Sequence, residues 1–232
     1  MIAIRKSKDR GVADHGWLNS KHSFSFADYH DPKHMGLGPL RVINEDKVGP
    51  GSGFDTHGHR DMEIISYVLE GELRHKDSMG KKTTIKPGDV QRMTAGTGVR
   101  HSEYNNSNTD PVHFLQIWIL PEKKNLPPSY AQDHFDLGEG DSGLVLVGSR
   151  DGRDRSIAIN QSVDLYAAKM AKSTSITHHV AAGRSLWLQV VRGTVTLNTQ
   201  SLAKGDGAAI QNEKSLKVTA TENSEFLLFD MA

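Results

Sequence analysis

Two short pairs carry most of the chemistry in this 232-residue chain: His57-Gly58-His59 and His101-Ser102-Glu103. Within each pair, the two side chains able to bind a metal are two residues apart. Successive side chains on a β-strand alternate faces, so residues i and i+2 point the same way. His57 and His59 then aim together, as do His101 and Glu103, and neighbouring strands would bring three imidazoles and one carboxylate to a point. That donor set suits Fe, Ni, Mn, Co, Cu or Zn better than an oxygen-seeking ion such as Ca. A lone His-x-His carries little weight in a chain with 12 histidines. Two such pairs, each beside glycine turns, carry far more. The competing reading is a set of polar residues satisfied within a sheet, and burying three His and a Glu that way needs many compensating hydrogen bonds. We expect one divalent transition metal on His57, His59, His101 and Glu103.

The elements that would position these residues are strands. Helical periodicity is scarce, and short apolar runs such as LRVIN, MEIISYVLEG, HFLQIWIL, LWLQVVRGTVTL and EFLLFDMA are separated by Gly, Pro, Asn and Asp. This pattern indicates an antiparallel all-β sandwich or barrel. Residues 121–143 hold three prolines and three glycines and read as a connection, with room for a short helix in SYAQDHFDL. An internal echo crosses it. ISYVLEGELRH around Gly71 matches LQVVRGTVTLN around Gly193, and IKPGDVQRM matches LAKGDGAAI, setting Gly88-Asp89 against Gly205-Asp206. We expect a tandem duplication, with one barrel over residues 1–132 and its copy over 133–232.

Composition narrows the function. Lys plus Arg and Asp plus Glu number 28 each, so the basic excess of a phosphate-neutralising protein is missing and nucleic acid is not expected. With no cysteine, disulfides, iron–sulfur clusters, Cys-bound zinc and thiol nucleophiles are excluded. The first residues carry no apolar stretch of signal-peptide length, and no run approaches the ~20 residues of a membrane span. A soluble, cytoplasmic protein is expected.

The motifs resemble a known family. Gly51-x5-His57-x-His59, then Glu63 and Gly71, is similar to the first cupin motif, and Gly98-x2-His101-x3-Asn105 to the second. More narrowly, the chain resembles the pirins, in particular the bacterial members with quercetin dioxygenase activity. The distinguishing stretch is HGWLNSKHSFSFADYHDPKHMGLGPLRVINED, residues 15–46, together with HGHRDMEIISYVLEG, MTAGTGVRHSEYN and LQIWILP. The resemblance covers the N-terminal half closely and the C-terminal half more loosely. It implies a bicupin, two double-stranded β-helix (jelly-roll) barrels in tandem. It also implies the four ligands found by spacing, with Glu103 supplying the carboxylate where a general cupin would use Glu63. Many pirins carry Pro where this chain has Gly58. That position faces away from the metal, so ligation should survive with a less stiff backbone.

The second barrel should lack a metal. Setting Gly193 against Gly71 puts His179 opposite His57, but Ala181 opposite His59 and Ser185 opposite Glu63, and no His-x-Glu follows Asp206. His178 and His179 then read as surface or interdomain residues. His15, His22, His30 and His34, with Phe24, Phe26 and Tyr29, offer a second metal site or an entrance lining. The preferred reading is a segment packed outside the first barrel. Arg60 and Glu63 either orient the ligands or form an ion pair, Gln116 bonds near Glu103 or is a satisfied core residue, and Met62 and Met93 are packing.

The resemblance implies an O2-dependent cleavage of a flavonol such as quercetin, with release of carbon monoxide. Fe(II) is the first choice of metal, with Ni, Mn, Co, Zn or Cu as alternatives. Glu103 is the candidate catalytic residue, taking a proton from the flavonol hydroxyl. The substrate could equally be another enol or phenol. The alternative from another class is a regulatory pirin, whose metal site tunes a surface for a protein partner. A monomer is expected, since one chain already supplies both barrels.

Overall fold

The computed structural model describes residues 1–138 and 143–232, and residues 139–142 of the expected connection lie outside it. Regular structure is almost wholly β, and among the described residues no helix is long and apolar enough to cross a membrane. The chain forms two compact units: Gly11–Phe135 with Ile159–Gln161, and Met1–Arg10 with Asp136–Ala158 and Ser162–Ala232. After β1 (Ile2–Arg5), the first unit holds β2 (Gly11–Asp14), β3 (Leu18–His22), β4 (Leu40–Val48), β5 (Gly53–His59), β6 (Glu63–Glu70), β7 (Leu73–Asp77), β8 (Lys82–Ile85), β9 (Asp89–Thr94), β10 (Val99–Asn105), β11 (Val112–Ile119) and β12 (Ser129–His134). The second holds β1 with β13 (Val145–Ser149), β14 (Ile157–Ala158), β15 (Val163–Met170), β16 (Ser175–His179), β17 (Ser185–Arg192), β18 (Thr194–Leu197), β19 (Gln200–Ala203), β20 (Gly207–Gln211), β21 (Ser215–Ala220) and β22 (Ser224–Met231).

Both units pair a seven-stranded with a four-stranded sheet. In the first the orders are β12-β9-β6-β11-β4-β3-β2 and β5-β10-β7-β8; in the second they are β1-β20-β17-β22-β15-β13-β14 and β16-β21-β18-β19. The turn chemistry repeats as the sequence echo suggests. Gly71 (φ 75°) and Gly193 (φ 72°) both sit where a Cβ would approach a backbone oxygen to within 3 Å, 2.8 Å from Pro111 O and 2.3 Å from Asn223 O. Only glycine fits both demands. In the next turn, Asp89 Oδ2 accepts from the Lys86 N–H at 3.0 Å, as Asp206 Oδ2 does from Ala203 N–H at 3.0 Å.

The two interiors differ in one row. In the first unit, alternation turns Ile64, Ser66 and Val68 of β6 to one face of the sheet. Val68 joins Leu18, Val48, Leu73, Ile85, Val112 and Phe114 in an apolar cluster, while Ile64 joins Met93 and Val99. Between these clusters runs a polar row fixed by register: His22 opposite Asn44, Asn44 opposite Gln116, Gln116 opposite Ser66 and Ser66 opposite Gln91. The matching row of the second unit is Tyr166, Leu228, Leu188 and Ala208. There Leu188, Leu228 and Ala208 are core residues, with Tyr166 packed against them.

Two expectations about the chain's course need correction. The first ten residues, assigned from sequence to the N-terminal barrel, belong to the C-terminal unit. Residues Ile2 to Arg5 pair antiparallel with Ile210 to Gly207, and Ile2 and Ile4 pack on that unit's core. Asp206 then holds the segment, accepting from Lys6 Nζ at 2.9 Å and Ser7 N–H at 2.7 Å. The helix expected in SYAQDHFDL is instead the edge strand β12, whose Ser129 to His134 pair with Thr94 to Asp89. Its alternating Tyr130 and Gln132 bond to Thr83 and to Thr84 O, which fixes an extended backbone.

Burial alone would raise the Asp206 pKa, but the Lys6 ammonium and the Ser7 and Ala203 N–H groups together hold it below the usual value. A depressed carboxyl contributes stability above its unfolded pKa of about 3.9, and that contribution is lost as pH falls through the folded value. Asp206→Asn is expected to cost roughly 1–3 kcal/mol at pH 7, as for hydrogen bonds to a charged group. The loss should shrink toward zero below about pH 4 in urea unfolding curves; a pH-independent loss would contradict this account.

Candidate metal centre

Strands β5 and β10 lie side by side and antiparallel, with His101 opposite His57 and Val99 opposite His59. The pairing shifts between His101 and Glu103, so that Glu103 stands opposite Phe54. The three imidazoles converge, with ring centroids 4.5 to 4.8 Å apart. The Nε2 atoms of His57 and His101 are 3.0 Å apart. Two nitrogens on adjacent right-angled positions of an ion about 2.1 Å away would have this spacing. His57 turns its Nδ1 to Asp55 O at 2.7 Å. That bond leaves Nε2 as the free nitrogen, the arrangement metal-binding imidazoles commonly show.

The electrostatics keep His59 and His101 neutral. Burial, then the neighbouring His101 and His57, lowers the pKa of His59 to about 4. Burial, then His57 and His75, lowers that of His101 to about 3. At neutral pH their lone pairs are therefore available, as ligation requires. Glu103 is almost completely buried. Its Oε1 accepts from Ser66 at 3.2 Å and its Oε2 from Gln116 at 2.7 Å, both donors from the polar row. Gln116 thus bonds directly to Glu103. Neutral imidazoles beside an oriented carboxylate fit a first-row divalent ion.

The structure gathers the candidates into two overlapping sets. His57, His59 and His101 form one, and His75, His101 and Glu103 the other, each with donor atoms within 4.8 Å of one another. Sequence reasoning missed His75. Charged Arg74 and Lys76 flank it and disguise the strand, but the alternation Leu73, His75, Asp77 after the Gly71 turn was the available signal. All three side chains are buried. Asp46 was missed as well. Burial, opposed by a bond from Ser20 and reinforced by Glu103 and Glu45, raises its pKa to about 7.

Glu63 lies elsewhere. It shares the face of Ile65 and Tyr67, opposite to Ser66, because strand side chains alternate. Its Oε2 accepts from Thr94 Oγ1 at 3.1 Å and from Asn160 N and Nδ2 at 3.1 and 3.2 Å, with Arg92 Nε at 3.9 Å. Its nearby cation is Arg92, not Arg60. Arg60 instead lines a surface cavity of about 400 Å³ beside His59 and Arg100.

The histidine-rich N-terminal segment does not simply coat the barrel. Strand β3 is part of the seven-stranded sheet, and His22 faces the interior with Nδ1 2.8 Å from Asn44 Oδ1. His15 and His30 are exposed, and His34 lies near Asp31. Phe26, Tyr29 and His30 line a second cavity of about 470 Å³ with Met62 and Trp118. Trp118 meets His59 edge to face at 5.0 Å, so one wall residue of this cavity packs against the imidazole cluster. In the second unit, His178 is bonded to Asp230 at 2.8 Å, and Asp230 also accepts from Arg184.

Two cupin-type β-barrels in one chain, with a His/Glu cluster in the first, define a metal-binding bicupin. Residues 4–119 match the pirin family, and residues 146–231 match the quercetinase C-terminal cupin domain. The chain belongs to the pirin family. It is 48% identical over 231 residues to the quercetin 2,3-dioxygenase of Escherichia coli strain K12, covering 100% of this chain and 99% of that protein. Among solved structures, YhhW from Escherichia coli superposes with a TM-score of 0.97 at 48% identity, covering 100% of this chain and 98% of that one. Bacterial pirin YhhW in complex with nickel(II) gives 0.95 at 48% identity, covering 100% and 99%. The oxalate decarboxylase of Lactobacillus farciminis, at 12% identity, a TM-score of 0.71 and coverage of 98% and 86%, shares the fold alone.

The placement of Glu63 yields a prediction. Glu63→Gln should leave transition-metal content unchanged by elemental analysis, while lowering stability by about 1–3 kcal/mol through its disturbed buried bonds. Loss of metal from a folded Glu63→Gln protein would contradict the placement.

Proposed function

We propose that this chain is a metal-dependent dioxygenase acting on a flavonol such as quercetin. We further propose that it holds one divalent transition ion through His57, His59, His101 and Glu103. The observation that carries this is the convergence of three imidazoles, two of their Nε2 atoms 3.0 Å apart, in a chain closely similar over its whole length to a quercetin 2,3-dioxygenase. Iron(II) is our first choice of ion, and nickel(II) the second, since a related pirin is known as a nickel complex. When bound, the ion supplies a Lewis acid that acidifies a hydroxyl and holds the substrate in place.

The chain's own residues do the rest. The cavity beside His59, walled by Phe26, Tyr29, Met62 and Trp118, has the size and aromatic lining of a small-molecule site. A planar polyphenol fits that chemistry, since its rings can stack on the aromatic side chains. Gln116 occupies Oε2 of Glu103 with the shorter bond, and Ser66 holds Oε1 more loosely. Oε1 is therefore the oxygen that takes the hydroxyl proton. The resulting flavonolate is electron-rich and donates its electrons to O2. Its heterocycle opens, one ring carbon leaves as carbon monoxide with the former hydroxyl oxygen, both atoms of O2 remain in the ester product, and the proton on Glu103 passes to the carboxylate that the opening creates.

The test uses purified, metal-loaded protein, with quercetin loss and carbon monoxide release measured under O2 and under argon. Turnover with both gases accounted for is expected only under O2. No turnover by a fully loaded protein would sink the oxygenase reading in favour of a metal-dependent interaction with a protein partner. Glu103→Gln is expected to lower kcat by about 10²–10⁴-fold, the usual worth of general acid–base catalysis; near-wild-type turnover would rule out the proton transfer. A double His101→Ala, Glu103→Ala variant should lose its metal, and stoichiometric retention would overturn the ligand assignment.

A further inference from the structure

The His75–Asp77 pair has no role in the chemistry above, yet it is among the most enclosed polar groups of the first unit. Both side chains are fully buried. Register places His75 opposite Glu103 and Asp77 opposite His101. Asp77 Oδ1 accepts from the Met79 and Lys81 N–H groups at 2.8 and 3.1 Å, which fixes the carboxylate. Its Oδ2 lies 2.9 Å from His75 Nε2. A carboxylate only accepts, so a His75 proton sits on Nε2, and a ring carrying that one proton presents a lone pair at Nδ1. On its other side His75 packs on Tyr130, with ring centroids 5.0 Å apart, and Tyr130 is bonded to Thr83 at 2.6 Å.

His75 Nδ1 is buried and has no hydrogen-bond partner, and the same is true of His101 Nδ1. The two rings are neighbours, with centroids 5.3 Å apart. The two Nδ1 atoms are not in hydrogen-bonding geometry with each other, so pairing them requires a turn of one ring. If His101 turns Nε2 to an ion beside His57, its proton must sit on Nδ1. A ligating imidazole then needs an acceptor for that proton. His57 has Asp55 O. For His101 the matching acceptor is the lone pair of His75.

We propose that His75 is a positioning residue, whose Nδ1 accepts the Nδ1–H of His101, and that Asp77 holds it in the tautomer able to do so. The chain Asp77, His75, His101 then ends at the ion, which fixes the angle of the ring and raises its basicity as a ligand. This rests on the ligand reading given above. It also assigns the second set of side chains, His75 with His101 and Glu103, to support of one ion and not to a separate site.

Zinc(II), being diamagnetic, is a suitable probe. In zinc-loaded protein labelled with ¹⁵N histidine, His75 should appear as the Nε2–H tautomer. His101 should show a slowly exchanging Nδ1–H coupled across the bond to His75 Nδ1. Direct zinc ligation by His75 Nδ1, or a His101 Nδ1–H without that coupling, would overturn the proposal, and this spectrum decides even if variants fail to fold. Among variants, His75→Phe should weaken zinc affinity about 10–100-fold in chelator competition, the usual effect of losing such a partner. His75→Asn, which keeps an acceptor near the Nδ1 position, should recover most of it. Asp77→Asn should behave like His75→Phe by releasing the tautomer. Wild-type affinity in folded His75→Phe, or no recovery in His75→Asn, would sink this inference alone. A wild-type protein that binds no zinc would sink the ligand reading beneath it.

Discussion

Inside a closed β-barrel there is little water, so each polar group placed there must find a partner or hold an ion. The first unit accepts this constraint on a large scale. One register row of its larger sheet carries His22, Asn44, Gln116, Ser66 and Gln91, and the smaller sheet adds His75, Asp77, His101 and Glu103. Apolar clusters around Phe114 and around Ile64 flank the row. The same low polarity that makes these groups costly keeps His59 and His101 uncharged, and uncharged imidazole is the form that binds metal. Gln116 and Ser66 hold the Glu103 carboxylate, so the row that satisfies the interior also orients the carboxylate proposed as a ligand.

The second unit shows what happens when the constraint is lifted. Its turns repeat those of the first, down to the aspartate oxygen that accepts from the backbone three residues earlier. Its corresponding row is Tyr166, Leu228, Leu188 and Ala208. With Leu188 where the first unit has Ser66, and Leu228 where it has Gln116, nothing could hold a ligating carboxylate. The interior is filled as an ordinary apolar core. Turn chemistry therefore specifies the barrel, while a few inward positions decide whether it has chemistry.

Much of the candidate site was legible in the sequence because strand periodicity is local. His57 and His59, and His101 and Glu103, had to share a face once each pair lay on a strand, and the glycine turns marked where strands end. The same rule placed Glu63 only after the register of β6 was known. Its spacing from His59 resembles that of a general cupin ligand, yet its parity sends it to the face of Thr94 and Asn160. His75 escaped notice because exposed Arg74 and Lys76 flank it, and one inward histidine between two charges has no signature of its own. Strand β12 escaped because its extended form depends on Thr83 and the Thr84 carbonyl, which are far away in sequence.

The sequence by itself determined the all-β class, the repeated turns and the two donor pairs, since each follows from residue types within a few positions of one another. Only the tertiary structure decided that Glu63 faces Thr94 and Asn160, that Gln116 and Ser66 hold Glu103, and that residues 2–5 pair with β20. Strand pairing is a long-range choice. Burial of whole faces settles it, with Ile2 and Ile4 filling one core and Leu18 and Val48 another.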